Sequence, residues 1–164
     1  MFVRQSKYVG MSNIAQSVNV ISPLMTTEEG LVKQTTWWPL LLFSKYMRGT
    51  TLNIHVQCGE YEGKTSPEWA RGAVDTPWLD CSASVSDDGW ITLAVVNVHD
   101  SKDLATSIKG LECRDVKVFT VTGDSVDAVN TATETMVGIV ESVWDGQGQY
   151  TFPKHSMTML RWRD

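Results

Sequence analysis

The pattern of apolar and polar positions changes character near residue 49. Beyond that point its period is two. Leu52, Ile54, Val56 and Cys58 alternate with Asn53, His55 and Gln57, which predicts a strand with one buried face. Residues 60–77 follow as a long loop rich in glycine, proline and charge. Leu79, Cys81, Ala83 and Val85 then alternate with Asp80, Ser82, Ser84 and Ser86. Asp87-Asp88-Gly89 turns the chain and residues 90–98 return, predicting a hairpin. Further strands are predicted over 116–122, 137–144, 150–152 and 156–162, separated by Gly123-Asp124 and Asp145-Gly146 turns. Short strands at this spacing predict a mainly β fold, a β-sandwich of jelly-roll type.

Before residue 49 the pattern is different. Residues 37–47 predict a helix. Thr35 or Thr36 can cap it, and Pro39 falls in the first turn, where a missing N–H is no loss. Lys45 and Arg48 suit its negative end, and Gly49 is the stop. Trp37, Trp38, Leu40, Leu41, Leu42 and Phe43 leave the first half without a polar face. A helix apolar all round is covered on more than one side, so this one is expected between two masses. Residues 1–9 have no start signal and read as the end of a helix begun earlier. Residues 11–21 read as a short strand and a structured loop closed by Ser22-Pro23, and residues 26–30 read as a turn.

Charge follows the same division. Residues 1–49 hold five basic residues against two acidic ones, net +3, and the remainder is −8 within a total of −5. That step supports two units, 1–49 and 50–164. The absence of any basic run argues against nucleic acid as a partner. No apolar run reaches transmembrane length. Cys58, Cys81 and Cys113 form no CxxC pair; they read as small buried hydrophobes, with one disulfide plus one thiol as the other option.

Acid–base chemistry finds little foothold. Glu28-Glu29 and Asp87-Asp88 are turn pairs, and neither sets two carboxylates across a cleft as glycosidic cleavage needs. His55, His99 and His155 fit no metal spacing, and no nucleophile elbow or phosphate loop occurs. No catalytic residue, metal ligand or cofactor is therefore expected. The seven tryptophans could stack on sugar rings, but core and interface packing is the preferred reading, including for Trp69, Trp78 and Trp144 beside loops. Gln16 stands out. It is either an amide facing a site at a strand end or one that satisfies loop backbone.

The strings NIAQSVNVISPLMT, KQTTWWPLLLFSKYMRG, LAVVNVH, VTGDSV and YTFPKHSMTMLRW span nearly the whole chain. On them the sequence resembles the C-terminal part of the α-L-arabinofuranosidases of glycoside hydrolase family fifty-one, above all the fungal members. The resemblance implies the last strand–helix unit of a truncated (β/α)8 barrel, in residues 1–49, followed by a C-terminal β-sandwich in 50–164. Residues 11–16 would be the last barrel strand and 37–47 the last barrel helix. It implies removal of terminal arabinofuranosyl groups from arabinan and arabinoxylan with retention, through two glutamates. Gln16 matches the glutamine that contacts the sugar. Both glutamates would lie ahead of Met1, so the chain alone is expected to be inactive. A non-catalytic sandwich that binds polysaccharide or packs against a partner is the alternative. Relatives are often secreted; compartment and oligomeric state stay open.

Overall fold

The computed structural model describes residues 2–61, 67–69, 77–110 and 112–163. Ten strands and one helix occur among them, in the order β1 (Leu24–Thr27), β2 (Gly30–Lys33), α1 (Trp37–Tyr46), β3 (Thr50–Leu52), β4 (Leu79–Val85), β5 (Trp90–Asn97), β6 (Leu104–Thr106), β7 (Val116–Thr122), β8 (Gly138–Trp144), β9 (Tyr150–Phe152) and β10 (Ser156–Arg163). Six strands form one sheet in the order β3-β4-β5-β10-β7-β8, and every neighbouring pair is antiparallel. Two further pairs stand apart, the β1–β2 hairpin and β6–β9.

The inner strands of the large sheet are buried on both faces, which is why β4 and β10 read as nearly continuous burial rather than alternation. One face carries Leu79, Cys81, Ile91, Val95, Val118, Leu160 and Trp162. It packs against Phe152, Leu104, Tyr150 and the extended run that holds Leu52, Ile54, Val56 and Cys58. This is the sandwich core. The other face carries Ala94, Phe119, Val121, Met157 and Met159, and α1 lies on it through Leu42, Phe43, Tyr46 and Met47. Ser82 and Ser84, the polar alternates of β4, are therefore buried on the helix side. Their environment is polar enough to hold them: Ser84 Oγ donates to Met47 Sδ at 3.1 Å, and Thr92 Oγ1 donates to the Tyr46 carbonyl at 3.1 Å. Asn97 joins the two layers. Its Nδ2 donates to the carbonyls of Lys102 and Phe152, and its Oδ1 accepts the His99 N–H.

The sandwich expectation holds, and several details differ. Residues 11–16 form no strand. A strand exists only through a ladder, and this run has no neighbour to make one; the barrel unit is not evident as such. Residues 2–8 form successive hydrogen-bonded turns rather than a helix end. Arg4 reaches from them to the Asp80 carboxylate and the Cys81 carbonyl. The TTEEG turn closes a hairpin whose strands were not anticipated. The alternation over 52–58 is real, with even positions half-buried and odd ones exposed, yet ladder pairing stops at Leu52. The loop expected over 60–77 falls largely outside the described residues; its two ends meet in a Glu60–Pro77 bridge. Thr36 is the helix N-cap but makes no side-chain capping bond. The three cysteines carry thiols, without a disulfide.

Candidate functional site

Gln16 lies on an exposed run between Gly10 and β1. A cis peptide joins it to Ala15. The loop beyond it is held by side chains rather than by a ladder. Ser22, almost wholly buried, donates its hydroxyl to the Ser17 carbonyl at 2.6 Å and accepts the Leu24 N–H at 3.1 Å. Asn19 adopts the left-handed conformation (φ 64°) that its short amide tolerates. Its Oδ1 accepts the Thr26 N–H at 2.7 Å, and its backbone N–H donates to the Leu24 carbonyl. Gln34, at the foot of α1, donates Nε2 to the Ser22 carbonyl at 2.7 Å. Thus the loop backbone is satisfied by Asn19, Ser22 and Gln34. Among the described residues the Gln16 amide makes no such bond.

Gln16 instead faces an open groove of about 320 Å³ shared with Ile14, Pro23, Trp37, Leu40 and Leu41. Serines 17 and 44 and Leu24 complete the lining, so the groove holds no carboxylate and no histidine. Trp37, Leu40 and Leu41 are the side of α1 turned away from the sheet; Leu40 and Leu41 are exposed. Of the two masses expected around the helix, the sheet is one.

The other candidates sit elsewhere and do not converge. Glu29 closes the β1–β2 hairpin; its own backbone N–H and the Thr27 hydroxyl hold its carboxyl below the usual range. Asp88, in the β4–β5 turn, is lowered first by the Ser86 hydroxyl. Asp100 is lowered first by the Ser101 hydroxyl. These are turn carboxylates. Buried His99 stacks on Trp78 at 4.2 Å and accepts the Ser101 N–H on Nδ1. His55 is exposed, and the His155 N–H donates to the His99 carbonyl. Among the described residues no group of three His, Cys, Asp or Glu could hold a metal, and no helix is long and apolar enough to cross a membrane. Of the loop-side tryptophans, Trp78 and Trp144 pack on His99 and Tyr150, whereas Trp69 is 76% exposed. The bracing role of Asn19, Ser22 and Gln34 went unread in the sequence; Ser22-Pro23 closing an amide-rich run was its signal.

The fold is thus a β-sandwich with a helix packed outside its large sheet and a braced loop that carries Gln16 beside the groove. Its lineage is specific. Residues 1–156 match the family model of the α-L-arabinofuranosidase C-terminal domain, and the chain belongs to that family. It is 61% identical over 163 residues to a probable α-L-arabinofuranosidase C of Aspergillus terreus, covering 99% of this chain and 32% of that protein. It is 56% identical over 163 residues to the α-L-arabinofuranosidase C of Emericella nidulans, with the same coverage of both chains. The thermostable family 51 α-L-arabinofuranosidase of Thermotoga petrophila shares the fold, with a TM-score of 0.85 at 24% identity over 99% of this chain and 36% of that one. The chain thus spans about a third of the length of the curated relatives it matches.

Proposed function

We propose that these residues are the C-terminal portion of a retaining α-L-arabinofuranosidase that removes terminal arabinofuranosyl groups from arabinose-containing glycans. The identity of 61% over 163 residues to a fungal protein of that name carries the reading. Within it, residues 1–49 complete a catalytic barrel and 50–164 form the sandwich that packs on it. The open side of α1, with Trp37, Leu40 and Leu41, is the surface the barrel covers. Gln16 is the sugar-contacting residue of this portion. Its amide is unengaged among the described residues while its loop is braced, which suits a donor and acceptor kept ready for ligand hydroxyls. The nucleophile and the general acid/base are supplied from outside these residues, since the groove lining holds no carboxylate.

A chimera tests this. The matching third of the Aspergillus terreus relative is replaced by this chain, and hydrolysis of an aryl α-L-arabinofuranoside is measured. The chimera is expected to turn over, and Gln16→Ala is expected to lower kcat/KM at least about tenfold, the loss of one strong polar contact in the transition state. An inactive but folded chimera sinks the family activity. An active chimera indifferent to Gln16→Ala sinks the residue assignment alone. Turnover by the 164-residue chain without the barrel would overturn the division of labour. The exposed Trp69 ring favours a second reading, a sandwich that binds polysaccharide by itself. Quenching of its fluorescence by arabinan, lost in Trp69→Ala, is the outcome that reading requires.

A further inference from the structure

The helix-side face of the large sheet ends in a group of cations with almost no acid opposite. The register places Arg161 of β10 between Thr92 of β5 and Lys117 of β7. The Arg161 guanidinium lies 4.1 Å from the Trp90 ring and 4.8 Å from the Tyr46 ring. Tyr46 is itself stacked on buried Phe119 at 5.0 Å, so the aromatic frame is anchored in the core. Lys117 Nζ sits 5.4 Å over Trp90, and Lys45 Nζ sits 5.0 Å over Tyr46. Arg163 follows two residues on, on the same face. Among the described residues Arg161, Lys45 and Lys117 make no ion pair. Asp88 is the acid that feels Arg161 and Arg163, and exposed Glu141 is placed beside Phe119 without an ion pair. This happens in a chain of net charge −5.

Holding Arg161 in place is one use of such a frame: aromatic faces attract a guanidinium and bury its stem. It does not account for the flanking lysines, which lie over the same two rings without an ion pair among the described residues. Nor does it account for the buried Arg161 Nε, which has no hydrogen-bond partner among the described residues. With Nε covered, the accessible donors are the two terminal nitrogens. A guanidinium held against two rings has its plane restricted, and its planar fork matches two coplanar oxygens.

We propose that Arg161, flanked by Lys45 and Lys117, is a binding site for a carboxylate. The carboxylate lies end-on to the guanidinium in its plane. The two ammonium groups, each over one of the rings, strengthen the field rather than bonding directly. The site is independent of the groove beside Gln16. A phosphate can present one edge to the same two nitrogens, so it is the competing occupant. The chemistry is satisfied by a simple carboxylate or by the acid group of a uronic sugar.

The test is a titration of the protein followed by the NMR signals of the Trp90 indole N–H and the Arg161 Nε–H. The probes are acetate, glucuronate, glucose and inorganic phosphate at constant ionic strength. Saturable shifts are expected with acetate and glucuronate and none with glucose. Tighter binding of glucuronate than acetate assigns the site to an acidic sugar; equal binding assigns it to the carboxylate alone. Arg161→Lys keeps the charge and loses the planar fork, and is expected to weaken binding at least tenfold. The double variant Lys45→Gln, Lys117→Gln changes only exposed side chains and is expected to weaken it several-fold with an unchanged melting temperature. Absence of saturable shifts, phosphate binding as tightly as acetate, or full affinity in the double variant would each overturn the proposal.

Discussion

At the scale of single residues, burial and local hydrogen bonds account for the titratable groups. Burial on the sandwich core pushes the Cys81 thiol up to about 12, with the Asp80 carboxylate adding in the same direction and Arg4 opposing. A raised folded value means that the folded state holds the thiol proton more tightly than the unfolded chain does. The stability this confers is complete below the unfolded value near 9.0 and disappears as pH climbs toward 12. Alkaline unfolding over that window is therefore expected, and Cys81→Ala should flatten it in a urea titration repeated across pH. The turn carboxylates have the opposite sign. Glu29, Asp88 and Asp100 are lowered, so their contribution is present above the ordinary carboxylate range and is lost as acid protonates them. All three are exposed, so that contribution is small.

At the scale of elements, the joint between α1 and the sheet depends on Gly49. Its φ is +93°, and a Cβ there would come within 2.2 Å of the Val85 carbonyl oxygen. No other residue type fits the left-handed turn and the close approach of β4 together. Gly49→Ala is expected to destabilise the fold by about 2 kcal/mol or more, read as a lower urea midpoint at unchanged slope.

The same elements show what a sequence reveals. The β4–β5 hairpin was legible because both strands alternate and Asp87-Asp88-Gly89 punctuates them. The alternation over 52–58 revealed which side chains face the core, but not that pairing ends at Leu52, because pairing is a property of the neighbour. The β1–β2 hairpin was missed, since four-residue strands around TTEEG are too short to show a period. Ser82 and Ser84 were legible as the polar side of a strand. Their burial on the helix side, Ser84 against Met47, was not, because that requires knowing that the sheet is covered twice. At the candidate site, Gln16 was visible as a residue of interest. The bracing by Ser22, Asn19 and Gln34 joins positions up to twelve apart through side-chain bonds that leave no periodic trace.

At the scale of the whole molecule, the open side of α1 is the main liability. Leu40 and Leu41 are exposed beside Trp37, and exposed Ile14 lines the same groove. A contiguous patch of this kind seeks cover. The isolated chain is expected to self-associate. Replacing Leu40 and Leu41 together with lysine should return it to the monomer by light scattering, without lowering the melting temperature, because neither side chain belongs to the helix–sheet core.

The position of β10 has a consequence in time. This strand lies between β5 and β7, at the centre of the large sheet, yet among the described strands it comes last in the sequence. Until Ser156–Arg163 has emerged from the ribosome, the β3-β4-β5 and β7-β8 ribbons have no shared edge. Each presents an unpaired flank to whatever else is nearby. A nascent chain is thus open to mispairing at both flanks until β10 closes them at once. Completion of this sheet waits on β10, and two open edges need guarding until that strand arrives.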